Sequence, residues 1–538
     1  MRLFAFFISL HFNIIFLNMQ RIIFVIILFV LSVPAICQPD IKKLSSYIDS
    51  CRIEWEIPGM AVGIIKDNNI YMLQGFGVRE EGKNEPVTPQ TMFGIASLTK
   101  AFTTAALSQL NDKGKISWDD KVIKHIPYFQ MYDPWITNSM TIRDLLCHRS
   151  GLETFSGDLL WNSTKYSRED IIKRVQYLKP TFGFRDGYGY SNLMFLTAGE
   201  IIPVVTGKSF DDYLKENIFI PLEMKNTNTS IRYMKNVSPN SLASGYENIA
   251  KPHCKKDGKV IPIKYISWDN IAPAGGINST AEDMMNWLKM LLNNGQYKGN
   301  TILSNKGLND VWSSHNILPL SDFDKYMFPS MHFHSYGYGW DLFAFHGRKV
   351  MNHSGGLDGM VLHICVVPEE NLGFVILTNS SNYLPYVLTY KLLDEFMETK
   401  GLDYPRVLLS FIKKREEAEK LDLIEEERNR LKDSKPSLSA DKYCGKYCGD
   451  MYGCANISIK DKELYLQFDP APEFQSVLKH WQHNTYTVEF KAFPSLPKGK
   501  VNFILDQDGN VSEFTIDVPN PDFYFTELEF KRINGDVH

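Results

Sequence analysis

The chain has 538 residues, of which 44% are apolar and 22% are charged, and its formal net charge is −4. That length exceeds one ordinary hydrophobic core, so two domains are the default expectation. The near-neutral charge leaves no basic excess that would neutralise phosphates, which argues against a nucleic-acid partner.

The N-terminal segment has the pattern of an export signal. Arg21 supplies the positive charge, Ile22–Val33 the apolar core and Ala35–Cys37 the cleavage site, with Met19 as an alternative start. The apolar stretch is shorter than the roughly 18 residues of a spanning helix. We therefore predict that residues 1–37 are a signal peptide and that the protein is secreted or periplasmic. An uncleaved membrane anchor is the alternative.

Residues 38–400 mix helical and strand patterns, which predicts an α+β domain. Leu98–Leu110 is apolar on every side and ends in a polar turn, as expected of a buried helix. Short apolar runs separated by turns predict antiparallel hairpins rather than βαβ units. The clearest of these strands are Ala61–Ile65, Ile70–Leu73, Val361–Val367 and Gly373–Thr378.

The last part of the chain changes character twice. Residues 401–436 carry mixed charges at helical spacing and end at Pro436, which indicates a solvated helical linker; a partner-binding coiled segment is the alternative. Residues 437–538 contain short alternating strands separated by turns, which predict a small antiparallel β-barrel.

The eight cysteines are scattered, which is not typical of a disulfide framework. Cys444, Cys448 and Cys454 cluster, but neither His nor Cys elsewhere completes a zinc spacing. We expect mostly buried cysteines with at most one disulfide, and no metal site.

The first candidate site motif is Ser97-Leu98-Thr99-Lys100. Residues three apart share a helix face, so the Lys100 amine can lie beside the Ser97 hydroxyl and help to remove its proton. This spacing alone is a weak signal, because it also arises by chance.

The second candidate is Tyr190, in the loop Gly187–Asn192 ahead of an apolar helix. A nearby positive charge favours a phenolate, so Tyr190 beside Lys100 is a candidate general base toward Ser97 and a candidate acid toward the leaving group. The alternative is an aromatic residue packed in a loop.

The third candidate is the run His353-Ser354-Gly355-Gly356, which precedes a buried strand. Adjacent glycines allow a backbone to approach a ligand closely. A backbone N–H there is a candidate partner for that of Ser97 in an oxyanion hole. A structural turn is the alternative.

With these three motifs in this order, the chain from about Ser46 to Glu395 resembles the serine β-lactamase-like family. The closest members are class C β-lactamases, D-alanyl-D-alanine carboxypeptidases and their esterase and D-aminopeptidase relatives. The C-terminal segment is similar to the lipocalin-like domain of some members. Further matching phrases are Phe93–Ala96, Thr141–Leu152, Ala272–Ile277 with Ser279-Thr280, and Tyr336–Trp340.

The resemblance implies a five-stranded antiparallel sheet with helices on both faces, a helical subdomain, and a site in the groove between them. Ser97 would be acylated, and Lys100 and Tyr190 would manage its proton. Asn192 would hydrogen-bond substrate or Lys100, and the N–H groups of Ser97 and Gly356 would bind the oxyanion. No metal or organic cofactor is needed.

One departure concerns the third motif, which is Lys-Thr-Gly in β-lactamases and His353-Ser354-Gly355 here. This lowers the expectation of efficient β-lactam turnover. If His353 binds a carboxylate as imidazolium, binding of acidic substrates should weaken between about pH 6 and 8.

The sequence thus predicts an exported serine hydrolase that forms an acyl-enzyme on an amide or ester, with a D-residue-containing peptide as the expected substrate. β-Lactamase and carboxylesterase activities are the alternatives within this class. A non-catalytic protein that binds cell-wall fragments or β-lactams is the alternative outside it. Self-association through the C-terminal domain is a further expectation.

Overall fold

An eight-stranded antiparallel sheet forms the centre of the first part of the chain. The structure is a computed structural model that describes residues 39–237 and 239–533, so the predicted signal peptide, residues 1–37, lies outside the described residues. The strand order is β2-β1-β8-β7-β6-β5-β4-β3. The strands are β1 Gly59–Lys66, β2 Asn69–Gly77, β3 Asn316–Ile317, β4 His334–Tyr336, β5 Asp341–Phe345, β6 Arg348–Leu357, β7 Met360–Val367 and β8 Leu372–Thr378.

Helices cover both faces of this sheet. Gly63 of β1 lies so close to the helix Ala281–Leu292 that a Cβ there would come within 2.3 Å of Met285 Sδ. His363 of β7 points to the opposite face, because it aligns with Ile376, which in turn aligns with Val62, the neighbour of Gly63. On that face the His363 ring meets Tyr386 of the helix Leu384–Met397. The sheet is therefore buried between two helical layers, and every residue of its strands β1 and β8 is buried.

The remaining helices form the α-helical subdomain and its surroundings. The helix Thr99–Asp112 follows a 3₁₀ turn at Ala96–Leu98 and is almost entirely buried, as predicted for this stretch. Within the described residues, no single helix is long and apolar enough to cross a membrane; the bent pair Asn192–Thr206 and Phe210–Phe219 passes on length and composition only. The other helices are Ile41–Glu54, Val122–His125, Pro134–Ser139, Ile142–Leu146, Arg168–Arg174, Asn192–Gly199, Ile201–Thr206, Phe210–Leu214, Ala272–Gly275, Asn305–Val311 and Asp322–Met327.

The α+β class followed by a barrel is confirmed, but the expectation of a five-stranded sheet is wrong. Strands β3, β4 and β5 extend the sheet beyond β6. β3 has two residues and β4 has three, which is too short for an alternating pattern to show in the sequence. Three further two-stranded ladders pair Met92–Gly94 with Asn278–Thr280, His253–Lys256 with Lys259–Pro262, and Gln296–Tyr297 with Asn300–Thr301.

A long helix, Tyr404–Asn429, lies within the predicted linker. Its first turn is buried, because the Tyr404 ring packs 5.5 Å from that of Phe328. The rest is largely exposed, in keeping with its mixed charges.

A closed eight-stranded barrel follows the short helix Ala440–Tyr443. The disulfide Cys448–Cys454 joins its first two strands, and every neighbouring pair is antiparallel. The described residues from Ser45 onward form one compact unit, so the barrel packs against the part of the chain that contains the sheet. The strands are β9 Gly445–Gly449, β10 Gly453–Lys460, β11 Glu463–Phe468, β12 Gln475–Gln482, β13 Thr485–Val488, β14 Gly499–Leu505, β15 Val511–Asp517 and β16 Phe530–Arg532.

Aromatic side chains fill the barrel. The Phe468 ring lies 5.3 Å from Phe530, 5.4 Å from Tyr452 and 6.0 Å from Phe474. A small barrel whose inward side chains interlock in this way is a packed core and not a ligand cavity. The barrel therefore has the lipocalin-like architecture, but these aromatic rings fill its interior where they meet.

Because Phe468 is fully buried among these rings, we expect Phe468→Ala to destabilise the barrel by about 3–5 kcal/mol. Urea denaturation of the full chain measures this, with Val477→Ala as the control. Val477 is 36% exposed on the neighbouring strand, so its truncation should change stability by no more than about 0.5 kcal/mol. Equal effects of the two substitutions would contradict the assignment of Phe468 to the core.

Candidate active site

Ser97 lies at a sharp turn that leads into the helix Thr99–Asp112. The preceding residue, Ala96, has a φ of +46°, a conformation that is strained for a side chain with a Cβ. Ser97 is 8% exposed, so only a small part of the residue contacts solvent. A non-glycine residue held in such a conformation is typical of functional sites.

Lys100 is one helical turn after Ser97, as predicted. Its Nζ lies 3.1 Å from Ser97 Oγ, 2.7 Å from Asn192 Oδ1 and 2.9 Å from the Ala274 carbonyl oxygen. The amide and carbonyl oxygens only accept hydrogen bonds, so they take two hydrogens from the amine. In a neutral amine the lone pair then faces Ser97 and accepts its hydroxyl hydrogen.

Burial supports this neutral form. Lys100 is fully buried, and desolvation holds its pKa well below the usual range of lysine. The Asp158 carboxylate acts in the opposite direction but is the smaller influence. Lys100 thus has the electrostatic surroundings of a lysine whose neutral form serves as a base.

Tyr190 completes this group from a different loop. Its hydroxyl hydrogen-bonds the Ser97 side chain, and Lys100 Nζ lies 4.5 Å from the centre of its ring. Burial raises the pKa of Tyr190 above its usual value. The expectation that Lys100 favours a Tyr190 phenolate is therefore wrong, because burial disfavours both charges and leaves the phenol protonated.

Asn192 connects Lys100 to a residue that the sequence reasoning missed, Asp158. Asn192 Nδ2 donates to Asp158 Oδ2 over 2.6 Å, while its Oδ1 accepts from Lys100. Asn192 was expected to hydrogen-bond either substrate or Lys100, and in the structure it hydrogen-bonds Lys100. Burial raises the pKa of Asp158 to about 7. No motif spacing includes Asp158, so only its fold position identifies it.

His353 lies near these residues but is not a cation. Its Nδ1–H donates to the Ser354 carbonyl over 2.6 Å, so its Nε2 accepts from the Tyr336 hydroxyl over 2.8 Å. The ring is 3% exposed, and desolvation lowers the pKa of His353 to about 4. The hypothesis of a carboxylate-binding imidazolium is wrong, because both ring nitrogens are already engaged in a neutral tautomer.

We accordingly expect the KM for substrates with a free carboxylate to stay flat between pH 6 and 8, since His353 titrates well below this window. Initial rates on a matched pair of esters, one with and one without the carboxylate, measure this. A rise in KM with pH that occurs only for the ester with the carboxylate would contradict this expectation and support an imidazolium at His353.

The remaining residues of this run differ in orientation. A Cβ on Gly355 would stand 2.5 Å from the Ile95 carbonyl oxygen and 3.3 Å from the Ser97 nitrogen, so only glycine fits beside the nucleophile. Ser354 aligns with His363 on the opposite face of the sheet, and its Oγ lies 2.8 Å from His363 Nδ1. A role for Ser354 in substrate binding therefore stays a prediction.

Gly356 lies on an open stretch of strand edge. Pairing of β6 with β5 ends at Asn352, whereas pairing with β7 continues to Leu357. Beyond Asn352, the backbone groups on the edge of β6 that is paired with β5 earlier in the strand thus face the groove beside Ser97. Gly356 itself is exposed, and a Cβ there would meet nothing within 4 Å.

Two further residues hold the loop that carries Tyr190. The buried His148 ring packs 4.3 Å from the Tyr190 ring, and its Nδ1 accepts from the Ser191 N–H over 3.0 Å. Asn316 Nδ2 donates to the carbonyl oxygens of Cys147 and Gly187, which joins the two loops. His148 is part of a motif quoted above, while Asn316 has no sequence signal.

The site consists of hydroxyl, amine, amide, imidazole and carboxyl groups. In residues 39–237 and 239–533, no three His, Cys, Asp or Glu side chains are placed to hold a metal ion.

Two family models match the chain. One, described as Beta-lactamase, matches residues 45–393, well over half of the sequence. The other, described as a domain of unknown function (DUF3471), matches residues 429–532, which include the barrel.

Named relatives and solved structures agree with the first match. The Unguisins hydrolase ungD' of Aspergillus campestris (strain IBT 28561) is 32% identical over 359 residues, 64% of this chain and 63% of that protein. The chain spans less than two thirds of the length of the curated relatives it matches.

Two solved structures share the fold. The octameric penicillin-binding protein homologue from Pyrococcus abyssi is 22% identical, with a TM-score of 0.58 over 89% of this chain and 99% of that one. The D-stereospecific amidohydrolase from Streptomyces sp. is 20% identical, with a TM-score of 0.52 over 67% of this chain and 100% of that one. At these identities the likeness concerns the fold.

Proposed function

The chain belongs to the beta-lactamase family, as its motifs led us to expect, and from this membership we propose that it is a serine hydrolase with Ser97 as the nucleophile. The proposal rests on the three atoms that contact Lys100 Nζ. Two of them, Asn192 Oδ1 and the Ala274 carbonyl oxygen, can only accept hydrogen bonds, and the third is Ser97 Oγ. They prepare the lone pair of a desolvated amine for the Ser97 proton.

Acylation then proceeds through named atoms. Lys100 Nζ takes the Ser97 hydroxyl proton as Oγ bonds to the substrate carbonyl carbon. The oxyanion that forms is bound by the N–H groups of Ser97 and Gly356. Tyr190 donates its phenolic proton to the leaving amine or alcohol as that bond breaks, and Lys100 returns a proton to the phenolate. The product is an ester between Ser97 and the acyl group.

Deacylation uses the same groups in reverse. Water loses a proton to Lys100, directly or through Tyr190, and its oxygen attacks the ester carbonyl. Ser97 Oγ leaves and regains the proton, so the site returns to its starting state. No group from outside the chain is required for these proton transfers.

For the substrate we favour an amide or ester, in particular a peptide with a D-residue. Two features support this choice over a β-lactam. His353 is neutral where β-lactamases have a lysine, so the third motif offers no fixed positive charge to a lactam carboxylate. The names of two similar proteins support it: an unguisins hydrolase fits hydrolysis, and a solved structure of the same fold is called a D-stereospecific amidohydrolase. A non-catalytic binding protein has no need of a desolvated lysine beside a serine.

A substrate panel tests this proposal. Wild-type protein is assayed with p-nitroanilides of D-alanine and L-alanine peptides, a p-nitrophenyl ester and a chromogenic cephalosporin. We expect hydrolysis of the D-peptide and the ester, with the lactam slowest. Preference for the L-peptide would contradict the substrate class, and stoichiometric binding without turnover of any compound would favour the binding protein.

Export belongs to the same proposal. The predicted signal lies outside the described residues, and the disulfide Cys448–Cys454 supports an oxidising compartment, in which such bonds persist.

Self-association is proposed as well, supported by the octameric state named for the Pyrococcus abyssi neighbour. The barrel is the proposed contact. Light scattering on the full chain and on a barrel-surface variant measures the mass directly, and a monomer would contradict the proposal.

A further inference from the structure

The barrel meets the rest of the chain directly beside the candidate active site. Glu527 belongs to the 3₁₀ turn Phe525–Glu527, which lies between β15 and β16. Its carboxylate accepts two hydrogen bonds from the other part of the chain: Ser156 Oγ donates to Oε1 over 2.5 Å, and the Gly157 N–H donates to Oε2 over 2.8 Å. Both oxygens of one barrel residue thus hold one short turn.

That turn leads into the hydrogen-bond network of the site. Asp158 follows Gly157 and accepts from Asn192, and Asn192 accepts from Lys100, which contacts Ser97. Apart from the single peptide bond between Gly157 and Asp158, every link is a hydrogen bond of 2.5–3.1 Å. The barrel is therefore connected to the nucleophile through four side chains.

The turn depends on an external partner. Gly157 has a φ of +77° and precedes the 3₁₀ helix Asp158–Leu160, so its N–H has no acceptor within that helix. A Cβ at Gly157 would stand within 3 Å of the Leu178 and Leu193 side chains, which leaves glycine as the residue that fits. Glu527 supplies that acceptor.

We propose that Glu527 is a positioning residue that the barrel contributes to the active site. By fixing the turn at Ser156 and Gly157, it holds Asp158 against Asn192 and keeps Lys100 desolvated beside Ser97. The C-terminal barrel is on this account a part of the catalytic unit, and not an independent appendage. The inference rests on the proposed function, because it assigns Glu527 through Lys100.

The test compares Glu527→Ala, Glu527→Gln and Glu529→Ala in the full-length protein. Glu529 is the matched control, because it is also a barrel carboxylate and faces Lys179 over 3.7 Å, but both groups are exposed and neither touches the network. The acylation rate is followed by the burst of p-nitrophenol from a p-nitrophenyl ester across the pH range. Thermal unfolding is measured in parallel.

We expect Glu527→Ala to slow acylation by about 10- to 100-fold, as small misplacements of a catalytic group do. Water that reaches Lys100 relieves its desolvation and raises its pKa, so the rising limb of the pH profile should move to higher pH. Glu527→Gln keeps one acceptor oxygen and should recover part of the rate, while Glu529→Ala should match wild type. A merely structural role would lower the unfolding temperature without moving the pH profile.

Three outcomes distinguish a failure of the inference about Glu527 from a failure of the proposed function. An unchanged rate and pH profile in Glu527→Ala overturns the inference while wild-type acylation stands. An equal loss in Glu529→Ala and Glu527→Ala also overturns it, because the effect then belongs to the interface in general. Absence of any p-nitrophenol release above the uncatalysed rate in wild type contradicts the proposed function itself. If Glu527→Ala does not fold, Glu527→Gln and Ser156→Ala give the same readouts.

Discussion

Ser97→Ala is expected to lower kcat/KM for hydrolysis of a p-nitrophenyl ester by about 10⁴-fold or more. Alanine removes the only atom that forms the covalent bond, and no other hydroxyl with an adjacent desolvated amine is placed in this part of the described structure to replace it. The oxyanion donors and the groove remain, so a small residual rate over water should persist. Steady-state kinetics across pH 6–9 measure the loss.

The control for this variant is a thermal unfolding measurement, which shows whether the protein is still folded. Ser97 is a small residue at a helix start, and its hydroxyl contacts Lys100 and Tyr190 only in the site, so the unfolding temperature should change little. Ser410→Ala serves as the matched serine variant, since the Ser410 hydroxyl donates to the Val407 carbonyl oxygen within the exposed helix Tyr404–Asn429, away from the site. A Ser97→Ala protein that keeps more than a tenth of wild-type activity would contradict the assignment of Ser97 as the nucleophile.

Lys100→Met is expected to have the second largest effect, a decrease in acylation rate of about 10²- to 10⁴-fold. Methionine retains the length and suits a fully buried site, so the change removes chiefly the amine. In wild type the rate should rise with pH as Lys100 loses its proton, because only the neutral amine accepts the proton of Ser97. This rising limb should disappear in Lys100→Met.

Lys349→Met is the matched control for that experiment. The pKa of Lys349 is also lowered by burial, but its Nζ donates to the Trp312 carbonyl oxygen, and it lies on β6 before the run that meets Ser97. Its pH profile should be that of wild type. A Lys100→Met enzyme with an intact rising limb would assign the base to another group, with Tyr190 the first to test.

Much of the site follows from local spacing and motif order. Ser97 and Lys100 are three residues apart at a helix start, and such residues share a helix face in any fold, so their 3.1 Å contact was predictable. Tyr190, Asn192 and Gly355 were found because they occur in motifs with a fixed order. Each of them lies at the groove in the structure.

The protonation states could not be predicted in this way. The sequence suggested a phenolate at Tyr190, because Lys100 is nearby, and raised the hypothesis that His353 binds a substrate carboxylate as an imidazolium. Burial determines both pKa values, and burial depends on tertiary packing by residues such as Tyr336 that are distant in the chain. Local patterns contain no such information.

Residues that act through others were missed for a related reason. Asp158 and Glu527 belong to no motif, and the contact of Glu527 with Ser156 joins positions 371 residues apart. The strands β3 and β4 were missed because two- and three-residue ladders depend on the neighbouring strand and not on their own composition. Sequence reasoning thus recovered the reacting groups, but the residues that hold them required the fold.

The central claim is that Ser97 forms the covalent acyl bond. Its most direct test is to label the purified protein with a fluorophosphonate and a tagged penicillin and to map the adducts by peptide mass spectrometry, with Ser97→Ala alongside. We expect one fluorophosphonate adduct, on the peptide that contains Ser97, and none in the variant. An adduct on a different residue, or labelling of equal extent in Ser97→Ala, would contradict it.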